Sequence, residues 1–174
     1  MPITLDGTSG MTLPGTSTGI QIGSLTSGTL QTVTSGTSID FTSIPSWVKR
    51  ITVSISGLSG AAGLAAGVRL GTGGLVTTGY TAGQVAPPGA TYTAITDKIV
   101  TFGTSAAAST LSGIAVITYL GSNIWSGTSM MNRTTDNLIM ISAGTITLAG
   151  TLDQVSVVTT SSTFDAGSVN ILFE

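Results

Sequence analysis

The sequence predicts an all-β fold, a jelly-roll-like β-sandwich preceded by an extended N-terminal arm. From about residue 39 onward, apolar and hydroxyl side chains alternate, most clearly in Ile51–Ser56, as expected of strands with one buried face. Clusters of Gly, Pro, Ser and Asn separate these segments, and no segment has the period of an amphipathic helix. Longer irregular stretches at 57–97 and 120–136 favour a jelly roll over a tight meander.

The first 36 residues differ from the rest because Gly, Thr and Ser units recur there, with short apolar residues between them. Such a composition is typical either of a flexible linker or of an arm that becomes ordered on a neighbour. The regular apolar positions favour the arm, because a pure linker has no need of Ile and Leu. We therefore expect an anchoring arm at 1–36 and a β-sandwich domain at 37–174. The candidate assembly contacts in the arm are Ile3, Leu5, Met11, Leu13, Ile20 and Ile22.

The alternation predicts nine strands in the domain. They are Ser38–Phe41, Val48–Ser56, Gly67–Leu70, Lys98–Phe102, Gly113–Tyr119, Asn137–Ser142, Thr145–Leu148, Leu152–Thr159 and Ser168–Phe173. The last of these reaches almost to the C-terminus. A terminal strand is usually tied into a sheet, so we expect it to contribute to folding.

The composition argues against catalysis, since the 174 residues include no His and no Cys, and only 7% are charged. The acidic residues stand beside turns or strand ends, where they are expected to bond backbone groups, and none forms a marked catalytic pair. The five basic residues are scattered, which does not suit nucleic-acid binding. No apolar run is long enough to span a membrane. We expect no cofactor and no metal centre; a calcium site of carboxylate and backbone oxygens stays open, without EF-hand spacing to support it.

Aromatic residues are the remaining candidates for contact with a ligand. Trp47 precedes a predicted strand and is expected to plug the end of the sandwich. Tyr80, Tyr92 and Trp125 lie in or beside predicted loops, so they are the candidate receptor contacts, for example as stacking surfaces for sugars.

Two segments are distinctive as strings, namely Thr37–Val53, which contains Ile44-Pro45-Ser46-Trp47, and Thr163–Glu174. Together with Leu120–Trp125 and Leu152–Val157, they resemble a domain of tailed-bacteriophage virion proteins, of the structural or tail-fibre type. The resemblance covers residues 37–174. It implies a trimeric β-domain in the virion and supplies no catalytic residues.

These observations favour a non-enzymatic virion structural protein, a homotrimer that decorates or cements the capsid or forms a short fibre. Its expected partners are copies of itself and the major capsid protein or tail proteins. The alternative is a receptor- or glycan-binding adhesion module whose partner is a host-surface glycan. A polysaccharide-degrading enzyme is the least favoured hypothesis, because titratable groups are scarce.

Overall fold

The computed structural model describes residues 4–6, 10–12, 25–85, 93–104, 106–107, 109–135 and 137–174, and within these ranges the chain is all-β. The strands in chain order are β1 (Thr4–Asp6), β2 (Gly10–Thr12), β3 (Thr26–Ser27), β4 (Gln31–Thr32), β5 (Ser38–Thr42), β6 (Arg50–Gly60), β7 (Ala65–Gly71), β8 (Thr81–Val85), β9 (Thr93–Ile95), β10 (Val100–Thr104), β11 (Leu111–Gly121), β12 (Ile124–Arg133), β13 (Leu138–Thr147), β14 (Gln154–Thr159) and β15 (Phe164–Phe173).

Two antiparallel sheets form a β-sandwich. The smaller sheet has the order β10-β7-β14-β5. The larger sheet has the order β3-β15-β6-β11-β12-β13-β8-β9, with β4 also paired to β15. Strands β11, β12 and β13 follow one another as a meander within the larger sheet, and the jelly-roll expectation is not confirmed.

The core lies between the sheets because alternate residues of each strand face inward. In β6 the inward residues Ile51, Val53 and Ile55 are buried, whereas Thr52 and Ser54 are only half-buried. Bulky aliphatic and aromatic side chains fill this space. The largest fully buried ones are Phe102, Phe164, Ile51, Leu58, Leu64, Leu70, Ile99, Leu111, Ile117, Met131, Ile171 and Val53.

All nine predicted strands fall within or across observed strands, although two of them are parts of one element. The predicted strands at 137–142 and 145–148 are joined in β13, because Ala143 and Gly144 continue the pairing with β12. The C-terminal strand is confirmed as part of a sheet, since β15 pairs with β6 through Phe173. The expected irregular stretches are wrong in part: 120–136 contains β12, and 57–97 contains β8 and β9.

The last part of the expected arm belongs to the β-sandwich domain. Strands β3 and β4 pair with β15, and Val33 is buried in the core. The Val33 N–H also donates to the Gly167 carbonyl at 2.9 Å. Residues 25–33 therefore lie along the edge of the larger sheet.

Candidate assembly surface

The outer face of the larger sheet carries a row of apolar residues that crosses four strands in register. Ile114 of β11 is opposite Met130 of β12, which is opposite Ile141 of β13, which is opposite Val85 of β8. Met130 is 55% exposed, and both isoleucines are exposed to a similar extent. Opposed residues on one sheet face are close neighbours, so these side chains form one continuous apolar surface. We call these four residues the outer row.

Further apolar residues widen this surface beyond the outer row. Ile139 is exposed on β13, and Val116 is half-buried on β11. A shallow depression of about 560 Å³ lies over Val85, Ala94, Ile141 and Ala143. A second one of about 240 Å³ lies over Ile114, Met130 and their neighbours, and Ile141 lines both. The outer row thus runs through both hollows, and Ile141 lies where they meet.

The strands that carry this surface are almost free of charge. Strands β8, β9, β11, β12 and β13 contain a single charged residue, Arg133, at the end of β12. The neighbouring outward positions hold hydroxyls, such as Thr128 and Thr145, which are exposed. A surface strand of a monomer usually alternates apolar inward and charged or polar outward residues. Here the outward residues at the centre are apolar.

The inward side of β12 and β13 has small residues at its centre. Gly127, Ser129, Ser142 and Gly144 all face the other sheet there, and both serines are buried. The two glycines allow Ile99 and Val100, at the start of β10, to pack closely against β12 and β13. A Cβ on Gly127 would stand 3.1 Å from Val100 Cγ1, and a Cβ on Gly144 would stand 2.4 Å from the Ile99 carbonyl oxygen. The middle of these two strands therefore has small residues inside and large apolar residues outside, whereas nearer the strand ends Trp125, Met131, Met140 and Ile146 are buried on the inner side.

The acidic side chains described are all used in bonds to neighbouring segments rather than gathered at one site. Asp40 accepts from Ser156 at 2.6 Å, Asp153 accepts from the Gly73 N–H at 2.7 Å, and Asp165 accepts from Ser59. Glu174 pairs with Arg50 at the surface. The expected use of these residues in backbone bonding is seen at Asp153, whereas Asp40 and Asp165 bond side-chain hydroxyls.

One carboxylate holds two cations. Asp97 Oδ2 lies 2.6 Å from Lys98 Nζ and 2.9 Å from Arg69 Nη2, and Arg69 Nε donates to the Asp97 carbonyl. Burial works to raise the pKa of Asp97, but the hydrogen bonds and charges of Lys98 and Arg69 outweigh it, so the pKa lies below its ordinary value. Lys98 is buried and depends on this carboxylate. The group stabilises the fold where β7 meets the start of β10.

Two candidate receptor contacts are in the interior. Tyr80 is 2% exposed, and its hydroxyl accepts from the Leu70 N–H and donates to the Val76 carbonyl, both at 2.9 Å. Trp125 is 3% exposed, because it lies at an inward position of β12 against Tyr119. The expectation that these rings are available at the surface is wrong. Tyr92 lies outside the described residues.

Trp47 is exposed, although the sequence predicts a buried position for it. It was expected to be a buried plug, yet it is 48% exposed and packs on Phe173 with ring centroids 6.0 Å apart. Its chain neighbours Ser46 and Val48 line a small cavity at the end of the sandwich, and Trp47 itself does not. Val48 and Trp125, which also line this cavity, are both buried.

Of the six candidate assembly contacts in the arm, two lie in described strands. Leu5 of β1 and Met11 of β2 are register partners in a two-stranded sheet. Ile3, Leu13, Ile20 and Ile22 lie outside the described residues. The outer row was missed at the sequence level, although its signal is present: residues 111–132 and 137–152 contain no charged residue.

No family model, curated protein or solved structure matches the chain. Within the described ranges, no three His, Cys, Asp or Glu side chains are grouped so that they could hold a metal ion. The same part of the chain has no helix long and apolar enough to cross a membrane.

Proposed function

We propose that this chain is a non-enzymatic structural protein of a bacteriophage particle. It assembles as a homotrimer and decorates or cements the capsid, or forms a short fibre. The observation that carries the proposal is the uncharged outer face of the larger sheet, with the outer row at its centre. The resemblance of residues 37–174 to virion proteins supplies the setting.

The proposal is supported by the favourable free energy of burying this apolar face against another copy of the chain. From β11 to β8 the row crosses three strand spacings of about 4.8 Å, and Ile139 to Thr145 extends along β13 for roughly 20 Å, so this part of the face covers roughly 300 Å², including the exposed Thr128 and Thr145. Patches of that size on monomers are commonly functional. Burial contributes about 25 cal/mol per Å² of apolar area, so contact between copies stabilises an assembly without any charged pair.

The first test is the oligomeric state of the purified chain. Sedimentation velocity over a wide range of protein concentrations should show a trimer, and Met130→Asp should shift it to a monomer of unchanged far-UV circular dichroism. A matched control is Leu120→Asp, because Leu120 is at least as exposed as Met130 but lies outside the outer row. A wild-type chain that stays monomeric throughout would contradict the proposal.

The second test concerns attachment to the particle. Residues 1–24 would dock on the capsid or tail protein by strand addition and apolar contact. Deletion of residues 2–22 spares β3 and β4, which belong to the sheet edge, so the truncated chain should still fold and form trimers. It should fail to co-sediment with particles stripped of the native protein. Full binding by the truncated chain would exclude the arm as the anchor.

A receptor- or glycan-binding module is the second candidate, and the exposed Trp47 favours it. A half-exposed tryptophan offers a face on which a sugar ring can stack. Glycan-array binding by the wild-type chain that is lost in Trp47→Ala but kept in Phe173→Leu would support adhesion. Absence of binding by the wild-type chain leaves the structural role.

A further inference from the structure

We infer that the outer row of one subunit packs against residues 25–30 of a neighbouring copy, at the β3–β4 edge of the same sheet. This inference rests on the proposed trimer and names the second surface that a trimer needs. A cyclic trimer is built from head-to-tail contacts, in which one patch of each copy meets a different patch of the next. A single self-complementary patch gives a two-fold dimer instead.

The β3–β4 edge offers a second exposed apolar patch outside the outer row. Leu25 and Leu30 are 64% and 61% exposed, more than any residue of the outer row. They flank β3 and precede β4, at the margin of the larger sheet opposite to β8 and β9. Strands β3 and β4 both pair with β15, which places the segment at the margin of the larger sheet.

The segment is held firmly while its two leucines point away. The Gly28 N–H donates to the Ile171 carbonyl at 2.8 Å, and a Cβ on Gly28 would stand 2.8 Å from Ile171 Cγ1. Gln31 Nε2 donates to the Asp40 carbonyl at 2.7 Å, which ties the segment to β5 of the smaller sheet. A fixed backbone loses little conformational entropy on association, so exposed leucines on it bind well.

The absence of charge favours a second copy of the chain, and not a positively or negatively charged partner, as the protein that covers the outer row. Residues 25–37 contain no charged residue, and neither do the central strand segments at 111–132 and 137–152. A charged partner surface would lose its hydration on the outer row without gaining an ion pair. The leucine edge of another copy brings no such cost, and the surrounding threonine hydroxyls form a polar rim.

The chain contains no cysteine, so cysteines introduced at the two patches would be its only thiols and can be cross-linked selectively. Leu30→Cys and Met130→Cys are made singly and together, and each protein is treated with a short bismaleimide at the concentration where the wild type is a trimer. The double variant should yield covalent dimers and trimers on denaturing gels. Each single variant should stay uncross-linked, because a head-to-tail contact keeps identical cysteines apart.

Mixing separates this inference from the proposed function. Leu30→Asp and Met130→Asp should each be monomeric alone, and together they should form a heterodimer through the one intact pair of patches. Covalent dimers of Met130→Cys alone would show that two outer rows meet, and would overturn the head-to-tail contact. Trimers that persist in Leu30→Asp would overturn the inference while leaving the trimer intact. A monomeric wild type would overturn both.

Discussion

Ser129 and Ser142 are register partners on β12 and β13, and their hydroxyl oxygens lie 2.7 Å apart on the buried side of the larger sheet. Both oxygens are 2.9 Å from the carbonyl oxygen of Thr101, and the Thr101 N–H donates to Ser142 at 2.9 Å. The two sheets are thus joined here by hydrogen bonds to the backbone of β10. We call this local contact between Ser129, Ser142 and Thr101 the polar seam; apolar side chains fill the rest of the space between the sheets.

Ser142→Ala should destabilise the fold by about 1–3 kcal/mol, because it leaves the buried N–H of Thr101 without its acceptor. The measurement is the free energy of unfolding from urea titrations monitored by circular dichroism. Thr145→Ala is the control, since Thr145 lies on the same strand but is exposed. Equal effects of the two substitutions would show that the seam does not contribute beyond strand propensity.

Tyr80→Phe should cost about 1–3 kcal/mol at neutral pH, because the hydroxyl that it removes bonds the Leu70 N–H and the Val76 carbonyl. Tyr119→Phe is a matched control, since the Tyr119 hydroxyl accepts a single longer bond, at 3.3 Å, from the Asn123 N–H. Similar losses in the two variants would contradict a special role of Tyr80.

The same residue should make the fold sensitive to alkali. Burial raises the pKa of Tyr80 from 10.0 to about 12, so the folded state favours the neutral phenol. That contribution is complete below pH 10 and is lost as the pH rises from 10 through 12. Unfolding free energies of the wild type should therefore fall more steeply over this interval than those of Tyr80→Phe. Parallel curves would exclude the effect.

Asp97→Asn should destabilise the chain by about 1–3 kcal/mol, because it leaves the buried ammonium of Lys98 without its counter-charge. The double variant Asp97→Asn/Lys98→Met should recover part of the loss. Glu174→Gln is the control; its exposed pair with Arg50 is expected to contribute no more than about 0.5 kcal/mol. Chemical unfolding at pH 7 measures all of these proteins.

Acid should remove the contribution of Asp97. The folded pKa of this carboxyl lies below its ordinary value of 3.8, so the stabilisation is present above that value and is lost as the pH falls through the folded pKa. As the pH falls below 3.8, the wild type should approach the stability of Asp97→Asn. A constant difference between the two proteins over that range would show that the charge on Asp97 is not responsible.

The recurrence of apolar residues at every second position is sufficient to predict β5, β6 and β7 and parts of β11 and β15, because those residues are the buried ones. It fails for β12, whose inward residues include Gly127 and Ser129. Their burial depends on the close approach of β10, a contact between segments far apart in the sequence. Local patterning cannot report such a contact, so the sequence predicts an irregular stretch where β12 lies.

The wrong prediction for 120–136 also explains why Trp125 was a candidate receptor contact. With 120–136 taken as a loop, Trp125 became a surface candidate, whereas in β12 it occupies an inward position. The outer row is not identifiable from strand patterning, because an isolated strand does not tell which of its faces is covered. The uncharged composition was visible, but its location on one outer face required the sheet order.

The two tryptophans supply a direct check of this correction by fluorescence. Trp125→Phe leaves Trp47, which is half-exposed, so its emission should be red-shifted and strongly quenched by iodide. Trp47→Phe leaves the buried Trp125, whose emission should be blue-shifted, with a quenching constant severalfold smaller. Both substitutions keep an aromatic ring, and far-UV circular dichroism confirms that each variant folds. Equal quenching would mean that β12 does not turn Trp125 inward, and the outer row would then lose its place on the opposite face of that strand.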